Sequence, residues 1–212
     1  METRALLSTT YLGPVQYYTK LIKYAKVIIE QHENFSKQSY RNRCVILGAN
    51  GPLTLSVPVA KDHNKKIQIN DLKISYETNW QMNHWRSIVS AYNHSPYFEF
   101  YEDDFAPFYH QKFEYLMDFN NQLQQTILDF LQLTIKPEFT SEFIELPNEN
   151  TIDLRDGIHP KKSKQIEDNS FEAQNYVQVF SDKFEFNPNL SILDLLFNEG
   201  PNSTNILKQS IK

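Results

Sequence analysis

The first thirty residues constrain the fold more than any other part of the chain. An apolar segment at residues 5–10 is stopped by Gly13-Pro14, and Pro14 suits the first turn of a helix because it has no N–H to leave unpaired. Residues 15–24 carry apolar side chains at helical spacing, and the β-branched run at residues 27–29 is typical of a buried strand. Strand, helix and strand in this order predict a βαβ unit with a right-handed crossover and a parallel strand pair.

Further strands and helices follow from the local patterns. Residues 44–47 and 53–57 are predicted as two strands of a hairpin, with the sequence Gly-Ala-Asn-Gly between them. Asn-Gly is a strong hairpin signal because both residues tolerate positive φ. Residues 67–76 are predicted as one more strand, after a charged loop at residues 61–66. The predicted helices are residues 80–92, which are apolar on two sides, residues 108–133, as one long or two consecutive helices, and residues 189–197, closed by Gly200-Pro201.

These elements predict a three-layer α/β domain. Its sheet is partly parallel and begins with the βαβ unit, and its C-terminal half is helical. A length of 212 residues fits one domain over residues 1–212 better than two small ones. Residues 134–170 show the least periodicity, so we expect them to be irregular and partly mobile, with room for one short strand.

Composition excludes several classes of partner. The formal net charge of -5 argues against non-specific nucleic-acid binding, which depends on many Lys and Arg contacts to phosphate. No run is long and apolar enough for a transmembrane helix, and no secretory signal is evident, so we expect a cytoplasmic protein without a membrane partner. Cys44 is the only cysteine and the six histidines lack metal-ligand spacing, so no metal site built on cysteine or histidine is predicted. The oligomeric state and any cofactor are left open.

A polar segment at residues 30–43 is the first candidate site. It follows the second predicted strand, and open α/β sheets bind ligands beyond the carboxyl ends of their strands. If Arg41 and Arg43 begin the next strand, their side chains share one face and can grip a phosphate or carboxylate. The alternative is a solvated loop whose arginines pair with Glu30 and Glu33. The candidate ligand contacts of this segment are His32, Lys37, Arg41, Asn42 and Arg43.

The turn between the first strand and the first helix is the second candidate. Tyr11 lies in this turn and Gln16 lies one turn inside the helix, where free N–H groups and the helix dipole attract anions. With only five glycines in the chain, neither the dinucleotide-binding fingerprint nor the P-loop is present. The turn is therefore a ligand site without a glycine-rich cradle, or it is only a connection.

Three further side chains suit acid–base or metal chemistry. His84 lies on the predicted helix 80–92 with Arg86 beside it, and it is either a general acid or base or a hydrogen-bonded core histidine. Asp103 and Asp104 are candidate catalytic acids or oxygen ligands for a divalent cation. Their alternative role is to cap the helix that we predict after them.

Several segments resemble the WbqC-like family. They are LLSTTYLGPVQY at residues 6–17, KQSYRNRC at 37–44, LSVPV at 55–59, WQMNHWRSI at 80–88, YNHSPYF at 92–98 and NLSILDLLFN at 189–198. The resemblance covers most of the chain. It implies a bacterial origin and a link to the synthesis of surface polysaccharides, and it assigns no catalytic role to any residue.

Two functional hypotheses follow. The first is a group-transfer enzyme acting on an anionic small molecule, such as a nucleotide sugar or an acyl donor, with Lys37, Arg41 and Arg43 binding the anion and His84 moving a proton. The second is a non-catalytic binding or scaffold protein that holds a partner on a surface rich in tyrosine. The first requires Arg41, Arg43 and His84 to converge on one pocket.

Overall fold

The predicted βαβ unit is confirmed by the computed structural model, which describes residues 3–60 and 66–212, and Lys162 by its backbone alone. The unit consists of β1 (Arg4–Ser8), α1 (Val15–Lys23) and β2 (Lys26–Glu30). The two strands are parallel, from Arg4 opposite Lys26 to Ser8 opposite Glu30. Both strands are largely buried, and they are the two inner strands of the four-stranded sheet.

The hairpin after the polar segment is also confirmed, with its turn shifted by one residue. It consists of β3 (Arg43–Gly48) and β4 (Gly51–Ser56), which are antiparallel and pair Gly48 with Gly51. Within this turn only Gly51 has a positive φ, of 105°. The two loop residues are therefore Ala49 and Asn50, rather than the Asn-Gly pair that the sequence predicted.

The strand predicted at residues 67–76 is wrong. This stretch contains a 3-10 turn at Ile69–Asp71 and single bridges from Ile74 to Val59 and from Lys73 to Tyr115. Its backbone bonds go to several different segments, so the weak alternation of apolar residues does not build a ladder. Most of the charged loop expected at residues 61–66 lies outside the described residues.

Three helices follow, α2 (Trp80–Tyr92), α3 (Phe98–His110) and α4 (Leu116–Phe130). The bounds predicted for α2 are confirmed. Helix α4 lies within the range predicted as helical, residues 108–133. Helix α3 begins at Phe98, before that predicted start, and contains Pro107. The break between α3 and α4 lies at residues 111–115, where the Tyr76 hydroxyl accepts the backbone N–H of Phe113 at 2.8 Å.

The four-stranded sheet is completed by β5 (Glu138–Phe139) and β6 (Thr151–Asp153), which lie in the stretch expected to be irregular. The strand order is β5-β2-β1-β6, and all neighbours are parallel. The chain ends with α5 (Ile192–Glu199) and α6 (Ser203–Gln209). The predicted mixed α/β class, with a parallel sheet and a largely helical second half, is confirmed.

The irregular segment before α5 is held by a buried carboxylate. Asp194, in the first turn of α5, accepts hydrogen bonds from the hydroxyls of Tyr92 and Tyr176 at 3.0 and 2.7 Å and from the Gln178 amide at 2.8 Å. Burial raises the pKa of this carboxyl above its ordinary range, although its hydrogen-bond donors oppose the shift. One side chain thus joins α2 and residues 176–178 to α5.

Many of the aromatic residues are used in the core. Tyr11, Tyr17, Tyr18 and Tyr92 are all buried, and the Phe197 ring lies among rings from α2 and α3. A tyrosine-rich core therefore accounts for much of the high aromatic content.

Candidate functional site

The sheet has a topological switch point between β1 and β6. These strands are neighbours, yet the chain leaves β1 through α1 toward β2 on the other side. In open α/β sheets, ligands bind beyond the carboxyl ends of the strands at such a point. The cavity at this point measures about 10 Å³, room for no more than one water molecule. It is lined by Leu7, Ser8, Thr9, Thr10, Tyr17, Tyr40, Arg41, Leu154, Arg155 and Ile158.

Arg41, in the segment before β3, lines the cavity at the switch point. Its side chain is buried, and its guanidinium donates to both carboxylate oxygens of Glu33 at 2.7 and 2.5 Å. A further bond reaches Asp156 at 3.2 Å. Burial acts to lower the pKa of the guanidinium, but Glu33 and Asp156 outweigh burial and raise it. The bidentate edge that would grip an anion is therefore already occupied by Glu33.

A second buried carboxylate joins three segments at the same edge of the sheet. Glu30 accepts hydrogen bonds from the Thr140 hydroxyl at 2.7 Å and from the backbone N–H groups of His32 and Ile144 at 2.8 and 2.9 Å. Arg155, which follows β6, places Nη1 3.5 Å from Glu30 Oε2. The charged residues at this edge therefore hold the strand ends together.

An open cleft lies beside the closed switch point, between the first turn of α1 and the segment after β6. Its volume of about 410 Å³ is within the range of small-molecule sites, roughly 300–1,000 Å³. Its lining residues are Gln16, Gly157, Gln165, Ile166, Glu167, Asp168, Phe171 and Asn189. None of these described lining residues is a Lys or Arg. The cleft therefore offers amides, carboxylates and an aromatic ring rather than cationic groups.

The N-terminus of α1 is capped by residues from far along the chain. Asn189, which has a φ of 59°, accepts the backbone N–H of Gln16 at 2.9 Å and donates to the Gln16 side chain at 3.0 Å. The carbonyl of Leu190 accepts the N–H of Val15 at 3.0 Å. These bonds use N–H groups that would otherwise attract an anion. The candidate anion site at the first turn is thus filled by the protein itself.

Lys20 lies on the same face of α1 as Gln16 and is entirely buried. Its Nζ lies 2.5 Å from Asp168 Oδ2 and 2.7 Å from Ser170 Oγ. Gln16 Nε2 donates to Asp168 Oδ2 at 2.7 Å, and Ser170 Oγ donates to Asp168 Oδ1 at 2.7 Å. Burial lowers the pKa of the Lys20 ammonium, although Asp168 opposes this shift. Burial acts to raise the pKa of Asp168, but the hydrogen bonds from Lys20, Gln16 and Ser170 outweigh it and bring that pKa to about 2.

The other candidates from residues 30–43 do not join one site. Lys37 is exposed, and Asn42 donates to the backbone carbonyl of Val57 at 2.8 Å. His32 lies 3.2 Å from the carbonyl of Thr140. Arg43 begins β3 whereas Arg41 precedes it, so the shared strand face expected for the two arginines does not form. The pairing of Arg41 with Glu33 agrees with the alternative given for this segment.

His84 lies in the aromatic core with Tyr11. Its Nδ1 is 2.9 Å from the Tyr11 hydroxyl, which lies 2.9 Å from the Tyr109 hydroxyl. The imidazole also bonds the backbone of Ser56 and contacts the Trp80 ring. Burial lowers the pKa of His84 to about 4. His84 lines neither the switch point nor the cleft beside α1, so it does not converge with Arg41 on one pocket.

The remaining candidates lie elsewhere. Asp103 and Asp104 are exposed within α3 instead of preceding a helix, so the capping role considered for them is wrong. Arg86 is exposed and lines a separate cleft of about 390 Å³ between α2 and the β3–β4 turn. Across residues 3–60 and 66–212, no three His, Cys, Asp or Glu side chains are grouped to hold a metal ion.

Sequence reasoning missed Lys20, Asp168, Ser170 and Asn189. The available signal was the pair Gln16 and Lys20, which are four residues apart on a helix and therefore share a face. A polar pair on one face of a largely buried helix indicates a buried partner, but that partner belongs to an irregular segment far along the chain.

A model of the WbqC-like protein family matches residues 9–206, a range that begins just after β1 and includes α1, β2 and every residue that lines the cleft beside α1. The chain belongs to the WbqC-like protein family. It is 24% identical over 233 residues to the uncharacterised protein Rv1507c of Mycobacterium tuberculosis, covering 98% of each chain. No solved structure matches it. Among the helices in the described ranges, none combines the length and apolarity needed to cross a membrane.

Proposed function

We propose that this chain is a group-transfer enzyme of bacterial surface polysaccharide synthesis that binds a hydroxyl-rich, sugar-like molecule in the cleft beside α1. The single observation that carries the proposal is the position and lining of this cleft. It lies next to the switch point of a parallel sheet, and its polar groups are amides and carboxylates. Amides both donate to and accept from hydroxyls, carboxylates accept from them, and Phe171 supplies an apolar face.

The lining favours an uncharged ligand over the anionic one expected from the sequence. Arg41 is bound to Glu33, and the free N–H groups at the start of α1 are used by Asn189 and Leu190. Glu167 adds negative charge to the cleft, which disfavours a phosphate by like-charge repulsion, whereas the charge of Asp168 is already paired with Lys20. The proposed ligand is therefore a neutral sugar rather than a free nucleotide.

A thermal-shift titration tests the proposal. Neutral sugars such as N-acetylglucosamine, at millimolar concentrations, are compared with inorganic phosphate and a nucleoside diphosphate. Because binding to the folded state raises stability by mass action, a bound sugar raises Tm in proportion to ln(1 + [L]/Kd). The Phe171→Ala variant should weaken binding about tenfold, equivalent to ~1.4 kcal/mol.

Arg86→Ala is the matched control, because Arg86 lines the separate cleft near the hairpin. It should leave the response to sugars unchanged. Stabilisation by phosphate alone, abolished by Arg86→Ala and retained by Phe171→Ala, would overturn the proposal and place an anion at the other cleft. A complete absence of stabilisation by sugars would overturn it as well.

A further inference from the structure

Ser170, Lys20 and Asp168 form a hydrogen-bonded triangle at the edge of the cleft. Ser170 Oγ lies 2.7 Å from Lys20 Nζ and 2.7 Å from Asp168 Oδ1, and Lys20 Nζ lies 2.5 Å from Asp168 Oδ2. A hydroxyl in contact with a potential base, which is oriented by a third group, is the arrangement of activated nucleophiles. Ser–Lys pairs perform this role on several unrelated folds.

The triangle adjoins the cleft through Asp168, which lines it. Phe171, the residue after Ser170, also lines the cleft, and Ser170 itself is partly exposed. Lys20 lies behind Ser170 and is fully buried. A molecule in the cleft can therefore approach the serine hydroxyl while the amine stays out of water.

We propose that Ser170 is the nucleophile of an acyl-transfer reaction, with Lys20 as its general base and Asp168 as the residue that positions both. This proposal rests on the proposed function, because the sugar in the cleft is the acyl acceptor. The acyl donor is an ester or thioester. Acylation of a hydroxyl from a thioester needs no oxidant or metal ion.

Each step of the reaction balances. Once Lys20 is neutral, the Ser170 hydroxyl turns its proton from Asp168 Oδ1 to the Lys20 amine. Ser170 Oγ then attacks the thioester carbonyl as that proton passes to Lys20. The C–S bond then breaks, and the leaving thiolate takes the proton from Lys20, which leaves an acyl-Ser170 ester and a free thiol. In the second half, Lys20 takes the proton of an acceptor hydroxyl as that oxygen attacks the ester, and the proton returns to Ser170 Oγ as the acyl group leaves.

The surroundings of Lys20 favour its role as a base. Burial lowers the pKa of the amine, Lys23 lowers it further, and Asp168 opposes both. The Phe171 ring lies 5.9 Å from Nζ, and the Tyr24 phenol lies near Ser170 and Asp168. The rate of acylation should therefore rise with pH as Lys20 loses its proton, reaching its plateau below the ordinary lysine pKa of ~10.4.

The test uses an uncharged thioester, S-acetyl-N-acetylcysteamine, with the full-length protein. Mass spectrometry with peptide mapping should find an acetyl ester on Ser170, released by hydroxylamine. Ser170→Ala should abolish this ester, and Ser170→Cys, which keeps a nucleophile of similar size, should be acylated. Lys20→Arg keeps the positive charge but removes the base, so acylation should slow by ~100-fold or more.

Ser163→Ala is the matched control, because Ser163 is an exposed serine in the same irregular segment. It should be acylated on Ser170 at the wild-type rate. Equal acetylation of Ser163 and Ser170, or no ester on Ser170 while surface lysines are acetylated, would overturn the proposal. A wild-type rate of Ser170 acylation in a folded Lys20→Arg variant would also overturn the proposal. A thermal-shift measurement of sugar binding by Ser170→Ala separates the two proposals. If this variant still binds the sugar, the cleft is a binding site and only the acyl-transfer proposal has failed.

Discussion

Arg41 binds both carboxylate oxygens of Glu33, eight residues earlier, in a buried ion pair at the carboxyl end of the sheet. Asp156, after β6, adds a third bond to the same guanidinium, so the pair connects the segment before β3 to the segment after β6. The geometry that sequence reasoning assigned to an external anion is thus satisfied internally. This relationship makes Arg41 a structural residue of the site.

Removing one member of this pair should destabilise the fold strongly. Arg41→Met leaves the Glu33 carboxylate buried without its counter-charge, which costs about 3–5 kcal/mol. Urea unfolding monitored by tryptophan fluorescence measures the change. The double variant Arg41→Met with Glu33→Leu should recover part of the loss, because no unpaired charge remains. As a control, Lys26→Met removes an exposed pair with Glu138 and should cost less than ~1 kcal/mol. Equal stability of Arg41→Met and the wild type would contradict this account.

Asp168 should make the protein sensitive to acid. Its folded pKa of about 2 is below its ordinary value of 3.8, so its contribution to stability is present above pH ~4. That contribution is lost as the pH falls from ~4 toward ~2, since the unfolded state then binds the proton more readily. In chemical unfolding across this range, wild type should lose more stability than Asp168→Asn. Parallel curves for the two proteins would show that the carboxylate gains nothing from Lys20.

The β1–α1–β2 unit could be predicted from the sequence because its signals are local. A β-branched run, a helix-initiating proline and helical spacing each act within a few residues. Strand β6 could not be predicted in the same way, because its three residues include a single apolar side chain, Ile152. Its conformation depends on the register that places Ile152 opposite Ala5. A three-residue strand is therefore defined by its neighbour rather than by its own pattern.

The cleft was missed for a related reason. A lysine on an amphipathic helix is normally exposed, so Lys20 alone did not indicate its burial, and its spacing from Gln16 was the one local signal. Its partners Asp168 and Ser170 come from a stretch without periodicity, where sequence patterns place nothing. The prediction for residues 30–43 assigned the charges at this edge of the sheet to a ligand, whereas Arg41 pairs with Glu33. A charged loop at a strand end is equally suited to internal pairing, and only the three-dimensional positions of Glu33 and Asp156 decide between the two.

His84 should remain neutral at physiological pH. Because burial lowers its folded pKa to about 4 from 6.5, stability is full above pH ~6.5 and declines as the pH falls toward ~4. An NMR titration of the imidazole signals should show His84 changing near pH 4. A His84 titration near pH 7 would contradict its burial and restore it as a candidate general base.

The Tyr11 hydroxyl should stabilise the same region. Tyr11→Phe removes the group between His84 Nδ1 and the Tyr109 hydroxyl, and leaves buried polar atoms without that partner. The expected loss is ~1–3 kcal/mol in the free energy of unfolding. Tyr97→Phe is a suitable control, since the Tyr97 hydroxyl makes no hydrogen bond within the described ranges, and it should change stability by less than ~0.5 kcal/mol. A neutral Tyr11→Phe would mean that the hydroxyl contributes nothing to the core.

Asp194 should hold the irregular segment of residues 176–178 against the helices. Its carboxylate accepts three hydrogen bonds, two from phenols and one from an amide. In Asp194→Asn one oxygen becomes an NH₂ group, which cannot accept from these donors, so ~1–3 kcal/mol of stability should be lost. Tyr176→Phe removes a single donor and should cost less. Hydrogen exchange should show faster exchange across residues 171–190 in Asp194→Asn than in the wild type. Unchanged exchange there, together with lower global stability, would mean that Asp194 acts only within the helical core.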